Sequence, residues 1–174
     1  MPHFCVLYIY RTGKSMDNTL EDRFISLVSQ HQNAIYKVCW MFVGADAEAV
    51  KDLYQEIILR LWKGFRKYRP DDRDLSWIYR ISLNTAISYK RKKTLPALHL
   101  DREAENIATA PDTATEELYE LINQLNPLEK SIIYLYLEQR SHEEIGQIIG
   151  ISETNVGTKI QRIKQKLRKL NESN

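Results

Sequence analysis

The stretch from Thr94 to about Thr113, TLPALHLDREAENIATAPDT, constrains this chain more than any other feature. It holds prolines 96 and 111, scattered Ala and Thr, several acids and no sustained apolar face. About twenty residues without regular structure are too many for an ordinary connection inside one domain. On either side apolar residues recur at the helical period, with no alternation of strand length. The expected class is therefore all-α: two small helical domains joined by a flexible linker. The expected bounds are 19–93, linker 94–112 and 113–174, with residues 1–18 as a poorly ordered N-terminal extension. Residues 1–15 lack helical period and read as an extension from an upstream start, or as a disordered or strand-like tail.

In the first body, Phe24, Leu27, Val28, Ile35, Val38, Cys39 and Phe42 recur at helical spacing, which makes Cys39 a packed small hydrophobe rather than a reactive thiol. Gly44 supplies a stop and Asp46 a cap for a second helix, DAEAVKDLYQEIILRLWKGFRKY. Its apolar stripe is Val50, Leu53, Tyr54, Ile57, Ile58, Leu61, Trp62 and Phe65, while Asp52, Gln55, Glu56, Arg60 and Lys63 face elsewhere. Pro70 and three nearby aspartates interrupt the chain before a third helix, LSWIYRISLNTAISYKRKK, with Leu75, Ile78, Ile81 and Leu83 toward a core. There Trp77, Tyr79 and Tyr89 are interleaved with Arg80, Asn84, Lys90, Arg91, Lys92 and Lys93. Aromatic faces stack on unpaired bases while cations hold the backbone. Each ring serves a core equally well, so both readings stay open for Trp77, with packing favoured for Tyr79.

Helix-start signals follow one another in the second body. Thr113 with Glu116, and Ser141 with Glu144, have capping-box spacing, and Asn126, Pro127 and Glu129 repeat it with proline in the first helical position. SHEEIGQIIGISETNVGTKIQRIKQK then reads as a very short helix, a tight Gly150-Ile151-Ser152 turn, and a second helix running to about Leu170. Ile145, Ile148, Ile149 and Ile151 can bury one side, Gly146 admits the following helix closely, and Val156 and Ile160 face inward. That leaves Glu153, Thr154, Asn155, Thr158, Lys159, Gln161 and Arg162 mostly outward. Short hydrogen-bonding groups at a helix start, with bases farther along, suit a DNA major groove. A hairpin in a helical bundle has similar spacing, and the pattern alone does not separate the two. His142 has no partner at metal-ligand spacing and is expected at the surface of the first turn.

Charge distribution points the same way. The net charge is only +2, but residues 1–93 carry +6, 94–120 carry −6, 121–152 carry −2 and 153–174 carry +4. A polyanion touching both ends and avoiding the middle accounts for this, as does a solvated surface of alternating patches. Cys5 and Cys39 are too few for a disulfide framework or a four-cysteine zinc site. There is no Gly-rich phosphate loop, triad spacing or paired histidines with a carboxylate, so no enzyme, cofactor or metal site is expected. No charge-free run is long enough to span a membrane, and Arg11 and Lys14 follow the apolar first ten residues rather than precede them. A cytoplasmic location is expected.

KDLYQEIILRLWKGFRKY at 51–68, LSWIYRISLNTAISYKRKK at 75–93 and LNPLEKSIIYLYLEQRSHEEIGQIIGISETNVGTKIQRIKQKLRKL at 125–170, in that order, resemble a bacterial RNA polymerase sigma factor of the sigma-70 family, in its small extracytoplasmic-function (ECF) branch. The resemblance covers nearly all of residues 19–170 except the linker. It implies core RNA polymerase and promoter DNA as partners, and an anti-sigma factor as a further one. Asp52, Gln55 and Glu56, then Leu61 and Trp62, match the helix that docks on the clamp coiled coil of the polymerase largest subunit. Trp77, Arg80, Ile81, Asn84 and Lys90, Arg91, Lys92 and Lys93 match the segment that captures and helps melt the −10 element. Glu144, Ile145, Gly150, Ile151, Ser152, Val156 and Arg162 fall on the helix-turn-helix that reads the −35 element, with Glu153, Thr154, Asn155, Thr158 and Lys159 as further candidates for DNA contact. The acidic linker is expected in or near the RNA-exit region.

Three positions depart from the family pattern: Ser88 where an aspartate is common, Asp74 where an aromatic is common, and Gly157 where Lys or Arg is usual. They bear on which promoter sequence is read. The alternative function is a helix-turn-helix repressor or activator that acts without polymerase and uses its first domain to dimerise.

Overall fold

A computed structural model describes residues 20–68, 74–94 and 113–172, and within them the chain forms α1 (Leu20–Val43), α2 (Ala47–Phe65), α3 (Asp74–Thr94), α4 (Thr113–Asn123), α5 (Pro127–Leu137), α6 (His142–Ile149) and α7 (Glu153–Glu172). The all-α expectation holds. The N-terminal extension, the linker beyond Thr94 and the side chains of Thr113 and Glu116 lie outside the described residues, as does Cys5.

The helix boundaries have the causes that the residue pattern suggests. Gly44, at φ +74, ends α1 with its N–H on the Trp40 carbonyl, and the Asp46 carboxylate accepts from the Ala49 N–H at 2.9 Å to start α2. Leu53, Ile57 and Leu61, one helical turn apart, are fully buried between α1 and α3. Phe24 of α1 meets Trp62 and Phe65 edge-on, with ring centroids 5.0 and 5.3 Å away. The Tyr68 hydroxyl donates to Asp74 and its ring stacks on Trp77 at 4.2 Å, joining the end of α2 to the start of α3. Cys39 is buried, and burial pushes its thiol up to about 12, which leaves it unreactive.

Complete capping boxes open α5, through Asn126 and Glu129, and α6, through Ser141 and Glu144. Val156, Ile160 and Ile163 of α7 close the core over α5 and α6.

The two helical units do not stand apart. α3 packs against α5 and α6, and one continuous core runs through both units. The attachment is at the C-terminal end of α1, where the carbonyls run out of helical donors after the Gly44 N–H on Trp40. The Trp40 carbonyl accepts from the Tyr119 hydroxyl at 2.8 Å, the Met41 carbonyl from Lys130 Nζ at 3.3 Å, and the Phe42 carbonyl from Lys90 Nζ at 3.3 Å. Tyr119 also lies against the Trp40 ring, with centroids 4.1 Å apart. A second contact lies at Glu138, which pairs with Lys37 at 2.8 Å and accepts from the buried Tyr79 hydroxyl at 3.1 Å.

Lys130 is only 4% exposed; its ammonium also donates to Asn123 Oδ1 at 2.6 Å and lies 5.8 Å from the centre of the Phe42 ring. Burial, and then the charge of Lys90, push it down to about 8. Unfolding returns it to the ordinary lysine range, so above pH 8 the unfolded chain holds a proton that the folded chain has released. Stability therefore rises with pH from about 8 toward 10. Above that, Tyr79 and Tyr119, whose hydroxyls burial pushes up, reverse the trend. Urea unfolding of the wild type is expected to show a gain on the order of 1–2 kcal/mol between pH 7.5 and 9.5. Lys130→Met should lose this rise and drift slightly downward toward pH 9.5, where the Cys39 thiol ionises only in the unfolded chain; an equal rise in the variant would place the titrating group elsewhere.

Candidate nucleic-acid interface

Helix α2 turns its other side outward. Asp52 and Gln55 are exposed, and Glu56 is half-buried and pairs with Arg60 at 3.0 Å. Helical geometry places positions 52 and 56 one turn apart on one face. With Leu59, Thr85, Tyr89 and Lys92 these residues line a groove of about 520 Å³ between α2 and α3. Leu59 is 55% exposed and Leu61 fully buried. Leu61 therefore offers no surface to a partner and acts only by holding the helix in place, whereas Leu59, absent from the sequence-based candidates, presents an apolar group beside the acids. Its signal in the sequence is an apolar residue off the buried stripe. Trp62 is half-buried against Phe24.

On α3, Arg80 and Asn84 are exposed, as are Lys90, Arg91 and Lys92 near its end. The side chain of Lys93 lies outside the described residues. Tyr79 is 1% exposed and held by Glu138, so packing is its role and stacking on a base is closed to it. Trp77 is half-buried between Tyr68 and Gly64; a Cβ at residue 64 would stand 3.2 Å from the indole. Ser88 donates to the Asn84 carbonyl at 2.8 Å.

The turn before α7 rests on two glycines with different duties. Gly150, at φ +86, caps α6 in the left-handed region. Gly146 receives the turn itself: its carbonyl accepts from the N–H groups of Gly150 and Ile151, and a Cβ there would lie 2.7 Å from the Ile151 carbonyl oxygen. Ser152 then caps α7 through the Asn155 N–H at 3.3 Å. In front of the turn, the Glu144 carboxyl is held below its ordinary value, first by the Ser141 backbone N–H and also by Arg140.

This arrangement leaves Glu153, Thr154, Asn155, Thr158 and Arg162 exposed along α7, with Lys159 half-buried. Farther along, Lys164 donates to the Tyr136 hydroxyl at 2.8 Å and Lys166 pairs with Glu129 at 2.9 Å. Both later lysines are thus tied to α5.

Residues 27–95 match the family model for sigma-70 region 2, and residues 115–167 match that for sigma-70 region 4. The ECF RNA polymerase sigma factor SigW of Bacillus subtilis is 29% identical over 168 residues, spanning 86% of this chain and 89% of that protein. Two solved structures have a similar fold. CnrH in complex with the cytosolic domain of CnrY superposes with a TM-score of 0.65 at 23% identity, over 88% of this chain and 90% of that one. The sigma factor RpoE from Bartonella quintana, in complex with the anti-sigma factor NepR, gives 0.69 at 16% identity, over 87% and 98%.

The contact beneath Gly146 makes a stability prediction. Gly146→Ala must displace the backbone of the turn and is expected to cost about 1–3 kcal/mol, read as a lower midpoint in urea. A variant as stable as the wild type would show that the turn yields freely.

Proposed function

The chain belongs to the sigma-70 family of bacterial RNA polymerase sigma factors, in its ECF branch, and we propose from that membership how its surfaces divide the work. As a sigma factor it binds core RNA polymerase and directs transcription initiation; the phosphodiester chemistry belongs to the polymerase. The observation that carries the finer reading is the sorting of side chains on α2, α3 and α7. In each helix the core takes the main apolar stripe, and one outward stretch carries chemistry suited to a partner: Asp52, Gln55 and Glu56 on α2, Arg80, Asn84 and Lys90 on α3, and Glu153, Thr154 and Asn155 on α7.

The face of α2 bearing Asp52, Gln55 and Glu56 docks on a basic surface of core polymerase, with Leu59 as its apolar contact. Charge attracts such a partner, and the apolar contact adds burial. Arg80, Asn84, Lys90, Arg91, Lys92 and Lys93 of α3 take the −10 element, holding separated strands and so favouring melting. Trp77 contributes the exposed part of its ring. The start of α7 enters the major groove of the −35 element, where Glu153, Thr154 and Asn155 meet base edges and Thr158, Lys159 and Arg162 follow along the groove. The RpoE structure contains an anti-sigma factor, which supports an anti-sigma partner here. Among the described residues no helix is long and apolar enough to cross a membrane, and the site of action is the cytoplasm.

Run-off transcription with bacterial core polymerase, with and without the chain, tests the reading. Promoter-specific initiation that depends on the chain is expected. Binding to a palindromic site without polymerase, and no initiation, would instead favour a repressor.

Two substitutions test the division of surfaces. The double reversal Asp52→Lys with Glu56→Lys should weaken core binding at least tenfold with little change in folding, because neither side chain is in the core. Wild-type affinity across a titration would sink the assigned docking face. Arg80→Ala with Asn84→Ala should slow open-complex formation on duplex promoters and be partly rescued on a pre-melted template. Both residues are exposed, so the folding defect that Trp77→Ala would bring is avoided. Equal defects on the two templates would contradict a role in strand capture.

A further inference from the structure

Gly157 sits one turn inside α7, on the face that carries Glu153, Thr154, Thr158 and Gln161, all exposed. Glycine in a helix interior costs about 1 kcal/mol relative to alanine, so its presence calls for a reason. Neither reason that explains the neighbouring glycines applies. Its φ is not in the left-handed region, unlike that of Gly150, and a Cβ at 157 would meet only ordinary contacts, unlike one at Gly146. Those contacts are with a single side chain: Cε1 and Nδ1 of His142, both at 3.7 Å.

His142 is the first residue of α6 and is exposed. The Nδ1–Cε1 edge of its ring faces the glycine, while Nε2 lies beyond 4 Å from that point. The polar face of α7 thus has a gap at one register, and an imidazole from the preceding helix stands at that gap. Glycine keeps the floor low enough for the ring and for a ligand to approach together. The two carboxylates of the same turn are engaged within the chain, Glu143 with Gln147 at 3.1 Å and Glu144 with Ser141 and Arg140.

We propose that His142 is a DNA-contacting residue, donating a hydrogen bond from Nε2 to a backbone phosphate at the register that Gly157 leaves without a side chain. The inference rests on the reading of α7 as the groove-entering helix. In a helix-turn-helix the second helix reads bases and the first crosses the sugar-phosphate backbone. His142 opens that first helix, at the positive end of its dipole. A phosphate, not a base edge, is therefore its partner.

The test measures the affinity of reconstituted holoenzyme for a promoter duplex and for a panel of single-base −35 variants by fluorescence anisotropy. His142→Ala should lower affinity about fivefold, by the same factor on every duplex, with an unchanged unfolding midpoint. His142→Ala combined with Gly157→Lys places an ammonium on α7 at the same register and should regain most of the loss. Unchanged affinity in His142→Ala would overturn the inference, as would an altered order of preference among the variants. A loss that Gly157→Lys does not repair would assign His142 to packing instead. Should the wild type show no promoter-dependent binding, the reading of α7 itself fails; wild-type binding with an indifferent His142→Ala sinks only this inference.

Discussion

The end of α1 is the point on which the arrangement of the molecule depends. A helix that stops leaves its last carbonyls short of helical donors, and here three consecutive ones accept from side chains of α4, α5 and α3: Trp40, which also keeps the Gly44 N–H, then Met41 and Phe42. Three separate helices thereby converge on one helix terminus. A cation beside such a terminus also meets the negative end of the helix dipole. That interaction helps offset the cost of burying the Lys130 ammonium, together with Asn123 and the Phe42 ring. Leaving Lys130 in place without these partners would be strongly unfavourable, so the contact favours one arrangement of the two units over looser ones.

That attachment determines which parts of α3 remain available. Tyr79, Ser82, Leu83 and Ala86 are buried, while Arg80 and Asn84 stay outside. Residues one apart on a helix differ by about 100° in direction, so adjacent positions such as Tyr79 and Arg80 can serve packing and contact without compromise. Helix α7 follows the same rule, with Val156 buried between the exposed Asn155 and the half-buried Gly157.

The helix boundaries are legible in the amino-acid sequence alone. The stop at Gly44, the cap at Asp46, the boxes at Asn126 and Ser141 and the left-handed Gly150 each rest on a local interaction whose partners lie within a few residues. The contact between the two units is not legible there, because it is made by residues that read as surface. Tyr119, Lys130 and Glu138 are polar and belong to no apolar stripe, and their partners across the contact lie from 59 to 101 residues away. Tyr79 is ambiguous in the sequence for a related reason, since only its link to Glu138 distinguishes a core tyrosine from a stacking one. On α2 the difficulty is one of resolution. A resemblance that places Leu61 and Trp62 beside a docking face cannot say which apolar side chain points outward, and the register puts Leu59 there while Leu61 is enclosed.

On the docking face proposed for α2, the Glu56–Arg60 pair would let the carboxylate be both ordered and ready to change partners. The two side chains are 41% and 40% exposed at i,i+4 spacing, a setting in which an ion pair contributes roughly 0.3–0.5 kcal/mol. That is enough to bias the carboxylate toward one position along the helix, next to the groove shared with Leu59 and Lys92. It is too little to hold it there against a basic surface that also desolvates Leu59, since the approach strengthens every charge interaction at the contact as water leaves. Beneath them Leu53, Ile57 and Leu61 keep the backbone of α2 fixed. In the proposed docking, exchange of Arg60 for a partner's cation would then need only side-chain rotation, giving up no more than the small contribution of that pair.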